Sequence, residues 1–317
     1  MPNNELTLFT GNGNDALAKR ICDYLDVPLG DATVVRFPDG EINVKINQDV
    51  RGRDVFILQP SCPPVNENLM ELLILVDAAH RASARRITAV MPYYGYARKD
   101  RKDEGRVPIT AKLVANMICT ARVDRLLVLD LHATQIQGFF DIPVDHLFSV
   151  PVLSQYFAES AIEDLVVCTP DVGGIRMARA FASLLGAGLA VVDKRRVSPQ
   201  EAEAAFVIGD VAGKNILLVD DMISTAGSLT AAAEIVKGKG AKDVYAAAAH
   251  GVFCGPAIER IEASCLKKVV VTDSIPLNDG ARQLNGRIEV LSVSGLLGEA
   301  IRRIHYNESV SSLFVNR

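Results

Sequence analysis

Short runs of apolar and β-branched residues recur along the whole chain. They are LTLF (6–9), VFIL (55–58), ITAVM (87–91), LLVLD (126–130), VVCT (166–169), LAVV (189–192), ILLV (216–219), VYAAAA (244–249) and VVVT (269–272). Because polar positions do not alternate with apolar ones in these runs, both faces of each segment are expected to be buried. The pattern therefore predicts strands that are covered by other elements on both sides.

Helical periodicity appears between these runs. Leu17, Ile21 and Leu25 fall on one face of a helix, residues 108–121 begin with a proline at a first helical position, and residues 173–186 end on a glycine suited to a C-cap. Strands that alternate with helices indicate parallel, doubly wound sheets. The predicted fold class is α/β, with two similar doubly wound domains that have mainly parallel central sheets.

The segment 142–152 carries two prolines and no clear period, so a domain boundary is placed near residue 147. The predicted domains are residues 1–147 and 148–317, and the last helix is a candidate to pack back on the N-terminal domain. The repeated rhythm suggests an internal duplication, although no residue-level repeat supports it.

The polar stretch 194–205 lacks large apolar anchors and predicts a mobile loop between two strands.

Composition narrows the class of function. The 317 residues are 49% hydrophobic, with a net charge of −4 and a pI of about 5.8, which argues against a nucleic-acid binder. No apolar run approaches the roughly 20 residues that cross a bilayer, and the N-terminus lacks the pattern of a signal peptide. The six cysteines are scattered, as expected of reduced thiols. These features predict a cytoplasmic protein without nucleic-acid or membrane partners, and leave open a small anionic ligand.

Polar groups follow several of the predicted strands. Asp130 and His132 follow LLVL, Asp171 follows VVCT, the segment 193–196 (DKRR) follows LAVV, and 220–221 (DD) follows ILLV. Ligands of open α/β sheets bind at the carboxyl ends of the strands. These side chains are therefore expected to gather at one edge of a sheet.

The stretch ILLVDDMISTAGSLT (216–230) carries the most specific chemistry. Small residues between a strand and a helix let backbone N–H groups surround a phosphate at the helix N-terminus. Asp220 and Asp221 can accept hydrogen bonds from sugar hydroxyls or hold a divalent cation through water. Together these features predict a site for a phosphorylated sugar; the alternative is that the two aspartates only cap the turn.

This stretch resembles the phosphoribosyl pyrophosphate (PRPP) motif of the type I phosphoribosyltransferase fold. The chain as a whole resembles the ribose-phosphate pyrophosphokinase family along nearly its full length. The resemblance rests on RFPDGEINVKI (36–46), NENLMELLILVDA (66–78), YYGYARKDRK (93–102), RVPITAKLVA (106–115), LDLHATQIQGFFDIPVDHL (129–147), TPDVGG (169–174), DKRR (193–196) and GEAIRRI (298–304).

The resemblance implies that the chain transfers a diphosphoryl group from MgATP to the anomeric hydroxyl of ribose 5-phosphate, giving PRPP and AMP. It assigns catalysis to Lys194 and Arg196 on a mobile loop, where they would stabilise charge on the reacting phosphates. It assigns Mg²⁺ to His132 and Asp171. The residues implied for ribose 5-phosphate are Arg196, Asp220, Asp221, Ser224, Thr225, Ala226, Gly227 and Ser228.

The residues implied for ATP are Phe37, Asp39, Gly40, Glu41, Arg98, Lys99 and Asp100. In this family, the residues near Phe37 reach in from a neighbouring subunit, so the resemblance implies a homo-oligomer, commonly a hexamer. Feedback inhibition by ADP and activation by phosphate are further expectations of the same kind.

Taken alone, several of these motifs have simpler interpretations. RFPDGE contains a strong turn signal, a Lys-Arg-Arg run is usually a solvated turn, and a histidine after a strand is usually a structural hydrogen-bonder, since Mg²⁺ prefers oxygen. The chain also departs from the family at Ser224, where a carboxylate is common, and at Lys99, where glutamine is usual.

Two other functions remain open from the sequence. One is a phosphoribosyltransferase that consumes PRPP, which would share residues 216–230 but usually has one such domain. The other is a non-catalytic regulatory subunit of a synthetase complex, in which the loop cations are typically lost.

Overall fold

The computed structural model describes residues 5–195, 204–284 and 286–313, and only the backbone of residues 194, 195, 204 and 205. The chain divides into two compact units. The first runs through Phe148 and includes residues 274–276 and the C-terminal segment from Ser292; the second comprises Ser149–Asp273 and Leu277–Leu291. Within the described residues, no helix is both long enough and apolar enough to span a membrane.

The described strands fall into two series along the chain. Those of the first unit are β1 (Leu6–Thr10), β2 (Ala32–Arg36), β3 (Ile42–Ile46), β4 (Asp54–Leu58), β5 (Arg86–Met91), β6 (Arg125–Leu129) and β7 (Val144–Leu147). Those of the second unit are β8 (Leu165–Thr169), β9 (Gly188–Arg195), β10 (Ala204–Ile208), β11 (Asn215–Ile223), β12 (Val244–Gly251), β13 (Leu266–Thr272) and β14 (Ile288–Leu291).

The described helices alternate with these strands. They are α1 (Asp15–Leu25), α2 (Val65–Arg81), α3 (Thr110–Thr120), α4 (Val150–Glu159), α5 (Ile175–Leu185), α6 (Gly227–Gly238), α7 (Ala257–Ala263), α8 (Asp279–Gln283) and α9 (Ser294–His305). Short 3₁₀ turns cover Thr134–Phe139, Val172–Gly174 and Ser311–Leu313.

The first unit is built on a parallel sheet in the order β1-β4-β5-β6-β7. Alternate side chains of β4 point to opposite faces, as strand geometry requires. Val55 and Ile57 join the apolar cluster beneath α2 and α3, whereas Phe56 and Leu58 join the cluster beneath α1 and α9. Helices therefore cover both faces of this sheet. The antiparallel pair β2–β3 forms a separate small sheet whose apolar side packs on the first cluster.

The second unit has a sheet in the order β10-β9-β8-β11-β12-β13-β14, which is parallel except for the edge strand β10. One face is covered by α6 and α7 through residues such as Leu229 and Ile261. On the other face, Phe157 of α4 makes an edge-to-face ring contact with Tyr245 of β12 at 6.5 Å. The predicted fold class, two doubly wound α/β domains with mainly parallel sheets, is confirmed.

Each of the nine predicted apolar runs lies within a strand or overlaps one. Five strands were not predicted: β2, β3, β7, β10 and β14. The segment 142–152, which showed no clear period in the sequence, contains β7 and the start of α4. Of the predicted loop 194–205, residues 194–195 belong to β9 and 204–205 to β10, so the loop prediction is wrong at its two ends, and residues 196–203 lie outside the described residues.

Candidate active site

The paired aspartates lie near the end of β11, at the centre of the second sheet. This strand continues beyond its apolar run, because Asp220 pairs in register with Ala248, and Met222 with His250, of the neighbouring β12. Asp220 is half-buried, and one of its carboxylate oxygens accepts a hydrogen bond of 2.9 Å from the backbone N–H of Asp221. The two carboxylates are thus presented from a rigid strand rather than from a loop.

Burial raises the pKa of Asp220 well above its ordinary value, and the negative charges of Asp221 and Asp171 raise it further. Asp171 follows β8, the strand adjacent to β11, so side chains remote in sequence meet at one sheet edge. A cluster of carboxylates favours any group that neutralises it, such as a cation or hydroxyl donors. This electrostatic cost supports a binding role for the cluster.

Asp171 also has a structural role in its own turn. Its Oδ1 accepts hydrogen bonds from the N–H groups of Gly173 (2.8 Å) and Gly174 (3.3 Å) at the entry to α5. A Cβ at position 174 would lie 2.2 Å from Oγ1 of Thr169, so only glycine fits there. The turn therefore fixes Asp171 at the edge of the sheet beside Asp220.

The predicted phosphate loop, residues 224–228, leads directly into α6. Ala226 adopts a left-handed conformation (φ +59°), and α6 begins at Gly227. The first N–H groups of a helix have no acceptor within the helix and carry partial positive charge. The loop therefore leads into a helix N-terminus that favours an anion. The hydroxyl of Ser224 lies 3.2 Å from the thiol of Cys254.

The backbone of Lys194 lies at the carboxyl end of β9, which is parallel to β8 and adjacent to it. Thr169, two residues before Asp171, is in register with Val191. Lys194, Asp171 and Asp220 thus lie toward the same edge of the sheet, where its parallel strands end. Arg196 lies outside the described residues.

In the first unit, residues 37–41 form the loop of the β2–β3 hairpin. The N–H of Phe37 donates to the carbonyl of Glu41 (2.8 Å), and Asp39 caps the turn by accepting from the N–H of Glu41 (3.1 Å). Gly40 has φ +94°, a conformation that favours glycine. The turn interpretation of RFPDGE is confirmed, and Phe37, which is 47% exposed, is accessible to another molecule.

The segment 98–100 lies after β5 in the first unit. Arg98 is exposed, Lys99 forms an ion pair of 3.0 Å with Asp103, and Asp100 accepts a hydrogen bond of 2.9 Å from Gln135. The ammonium group of Lys99 is therefore held by a carboxylate of its own loop. The hydrogen bond between Asp100 and Gln135 could not be predicted from the sequence, because a helix and a strand separate the two residues.

His132 is an exposed residue of the first unit, just after β6. The backbone before it is fixed, because the N–H of Leu131 donates to Nε2 of the buried His146 at 2.9 Å. No group of three or more His, Cys, Asp or Glu side chains in the described part of the chain is arranged to hold a metal ion by itself. A cation at Asp171 or Asp220 would thus complete its coordination with water or with a bound phosphate.

Comparison with known proteins gives concordant results along the chain. Residues 6–121 match the N-terminal domain of ribose phosphate pyrophosphokinase, and residues 191–315 match the phosphoribosyl synthetase-associated domain. The chain is 52% identical to a ribose-phosphate pyrophosphokinase of Rhodopirellula baltica, over 99% of both chains. It is 53% identical to one of Clostridium tetani, over 98% of this chain and 97% of the relative.

Among solved structures, the chain resembles the crystal structure of phosphoribosylpyrophosphate synthetase from Mycobacterium smegmatis. The TM-score is 0.90 at 43% sequence identity, and the match covers 96% of this chain and 99% of that one. The similarity therefore extends over both units and is not confined to the loop at 224–228.

Proposed function

The chain belongs to the ribose-phosphate pyrophosphokinase family, and we propose that the carboxylate edge and phosphate loop of its second unit bind ribose 5-phosphate for the reaction of that family. The enzyme transfers the β,γ-diphosphoryl group of ATP to the C1 hydroxyl of ribose 5-phosphate and produces PRPP and AMP. The observation that carries the proposal is the placement of Asp220 and Asp221 next to a left-handed turn that opens α6.

The roles of the two parts follow from their chemistry. The N-terminus of α6 and the loop 224–228 would hold the 5-phosphate through backbone N–H groups. Asp220 and Asp221 would accept hydrogen bonds from the ribose hydroxyls. The hydroxyl of Ser224 replaces a charged acceptor in this site, so the ribose is held by fewer negative charges than in relatives with a carboxylate there.

The residues assigned to ATP lie in the first unit. Phe37 offers an exposed aromatic face for adenine, and Asp39 and Glu41 offer carboxylates for the nucleotide ribose. Arg98 would neutralise phosphate charge, with Asp100 nearby. Lys99 has a smaller role because Asp103 already holds its ammonium group. The hairpin loop would serve the site of a neighbouring subunit in a homo-oligomer, commonly a hexamer.

The metal proposed for this reaction is Mg²⁺. The carboxylates of Asp171 and Asp220 suit its preference for oxygen ligands, and the raised pKa of Asp220 marks a place where a cation would relieve repulsion. His132 would contribute directly or through water. When bound, Mg²⁺ would neutralise charge on the phosphates of ATP. Lys194 and Arg196 would close over the same phosphates and exclude water.

The test is release of AMP from ATP and ribose 5-phosphate in the presence of Mg²⁺. The proposed enzyme releases AMP only when ribose 5-phosphate is present, and PRPP forms in equal amount. A phosphoribosyltransferase would instead consume PRPP together with a nucleobase and release diphosphate. A regulatory subunit would do neither alone, and that result would contradict the proposal.

A further inference from the structure

The loop 224–228 is supported from outside by the segment that follows β12. The N–H of Phe253 donates to the carbonyl of Ile223, and the N–H of Cys254 donates to the carbonyl of Ser224, both at 3.0 Å. Arg260, in α7, adds a third contact, because its Nη1 donates to the carbonyl of Thr225 at 3.0 Å. Three successive carbonyl groups leading into the turn are thus held by one neighbouring segment.

The contact from Arg260 determines which way the next N–H group points. The peptide bond between Thr225 and Ala226 is trans, and in a trans peptide the C=O and the following N–H point in opposite directions. With the Thr225 carbonyl turned toward Arg260, the N–H of Ala226 is turned away from it. The guanidinium therefore helps to present a backbone donor of the loop on the side opposite α7.

Two other features of the loop lie next to this contact. Ala226 is left-handed without being glycine, a conformation that costs roughly 1 kcal/mol and needs support from its surroundings. A Cβ at position 227 would lie 3.0 Å from Nη1 of Arg260, closer than most such contacts. Gly227 thus leaves the space through which the guanidinium reaches the loop.

We propose that Arg260 is a positioning residue for ribose 5-phosphate: it orients the peptide between Thr225 and Ala226 so that the loop can bind the 5-phosphate. Nothing in the sequence suggested this role, since Arg260 lies 35 positions from Thr225, outside every motif. The inference rests on the proposed function of the loop.

The test compares Arg260→Ala and Arg260→Lys with the wild type. A hydrogen bond from a charged group is lost in Arg260→Ala, so the KM for ribose 5-phosphate rises by about tenfold or more, while the KM for ATP stays within about twofold. Arg260→Lys keeps a cation and a donor and restores part of the loss. Arg282→Ala is the matched control, because Arg282 also donates to a backbone carbonyl of the second unit, that of Leu277 at 3.1 Å.

A second measurement is independent of catalysis. Hydrogen–deuterium exchange of a peptide covering residues 222–230 is slowed by ribose 5-phosphate alone in the wild type and in Arg282→Ala, but not in Arg260→Ala. An unchanged KM for ribose 5-phosphate, or an equal rise in both KM values that follows a lower melting temperature, would overturn the proposal. If the wild type itself releases no AMP with ribose 5-phosphate, the proposed function fails as well; the two failures are therefore distinguishable.

Discussion

Asp220 occupies a position that disfavours its own charge. Burial and two neighbouring carboxylates raise its pKa to about 8, so the folded protein binds a proton there more tightly than the unfolded chain does. A carboxyl group with a raised pKa stabilises the folded protein as long as it is protonated. This contribution is complete below the unfolded pKa of about 3.9 and is lost as pH rises through the folded pKa. Near and above neutral pH, Asp220 therefore lowers the stability of the fold that presents it.

We expect Asp220→Asn to stabilise the fold while weakening the binding of ribose 5-phosphate. The amide removes one charge from the cluster, so the free energy of unfolding rises by about 1 kcal/mol or more at pH 8.5 and by less at pH 5. Urea unfolding at both values measures this difference. Asp210→Asn, at an exposed carboxylate of the same unit, should change neither quantity. An increase in the free energy of unfolding that is no larger at pH 8.5 than at pH 5 would contradict the electrostatic argument.

Lys194 is expected to act on turnover rather than on sugar binding. Removing a cation that stabilises charge on a transferring phosphoryl group costs orders of magnitude in rate, so Lys194→Ala should lower kcat by at least about 100-fold. Its dissociation constant for ribose 5-phosphate, measured by calorimetry, should change little. Lys214→Ala removes a partly exposed lysine of the same unit that pairs with Asp164, and should leave kcat intact. Normal turnover of Lys194→Ala would exclude the residue from the reaction.

At the scale of elements, the sequence predicted the strands that are apolar throughout. Runs such as VFIL are apolar on both faces because helices cover both sides of their sheet. The hairpin strands β2 and β3 were missed because only one of their faces packs on the core, so polar residues such as Lys45 interrupt the pattern. β10, the antiparallel edge strand of the second sheet, was missed because its first two residues were assigned to the predicted loop 194–205.

The candidate site likewise contains some residues that the sequence could identify and others that it could not. Asp220 and Asp221 could be found because they follow an apolar run directly and precede a glycine-containing turn. The contacts of Arg260 and Cys254 with the loop could not, since they arise from chain segments about 30 positions away that converge only in the folded sheet. Local motifs therefore indicated the residues proposed to bind the substrate, whereas the contacts that support those residues required coordinates.

The packing of α9 on α1 offers a prediction at this scale. Glu299 accepts hydrogen bonds from Arg302 (2.9 Å), Arg303 (2.6 Å) and the hydroxyl of Tyr24 in α1 (3.1 Å). The two arginines, and then the tyrosine, lower the pKa of Glu299 to about 2. For a lowered pKa, the stabilisation is present above the unfolded value of about 4.3 and is lost as pH falls through about 2.

Glu299→Gln should therefore lower the free energy of unfolding by about 1 kcal/mol at pH 7, a figure reduced for the partial exposure of the arginines. The deficit should shrink steadily below pH 4, to roughly a quarter at pH 2.5, and disappear only below pH 2. Chemical denaturation at several pH values measures it. Glu289→Gln is the control, because Glu289 pairs with a single lysine, Lys268, at 2.9 Å; its effect should stay within about 0.5 kcal/mol. If the loss of unfolding free energy in Glu299→Gln did not depend on pH, the shape of the side chain, and not its charge, would explain that loss.

At the scale of the whole molecule, the predicted ATP residues and the predicted sugar residues belong to different compact units. If the hairpin loop 37–41 serves the site of a neighbouring subunit, each complete site draws Lys194 and Glu41 from two different chains. The exposure of Phe37 on a short hairpin is compatible with this arrangement. The oligomer would then be a requirement for catalysis and not only for stability.

This arrangement predicts complementation between two inactive variants. Consider a dimer that joins one Lys194→Ala subunit to one Glu41→Ala subunit. Because each subunit of a two-fold dimer contributes the same surface to the other, one of the two sites carries both substitutions and the other carries neither. Random pairing of equal amounts should therefore restore about a quarter of the wild-type sites. The measurement is AMP release after co-expression of the two variants. A mixture of Lys194→Ala with Asp220→Asn is the matched control and should show no more activity than the mean of the two variants alone, because both residues belong to the same unit of the same chain. Equal inactivity of the two mixtures would mean that Glu41 acts within its own subunit.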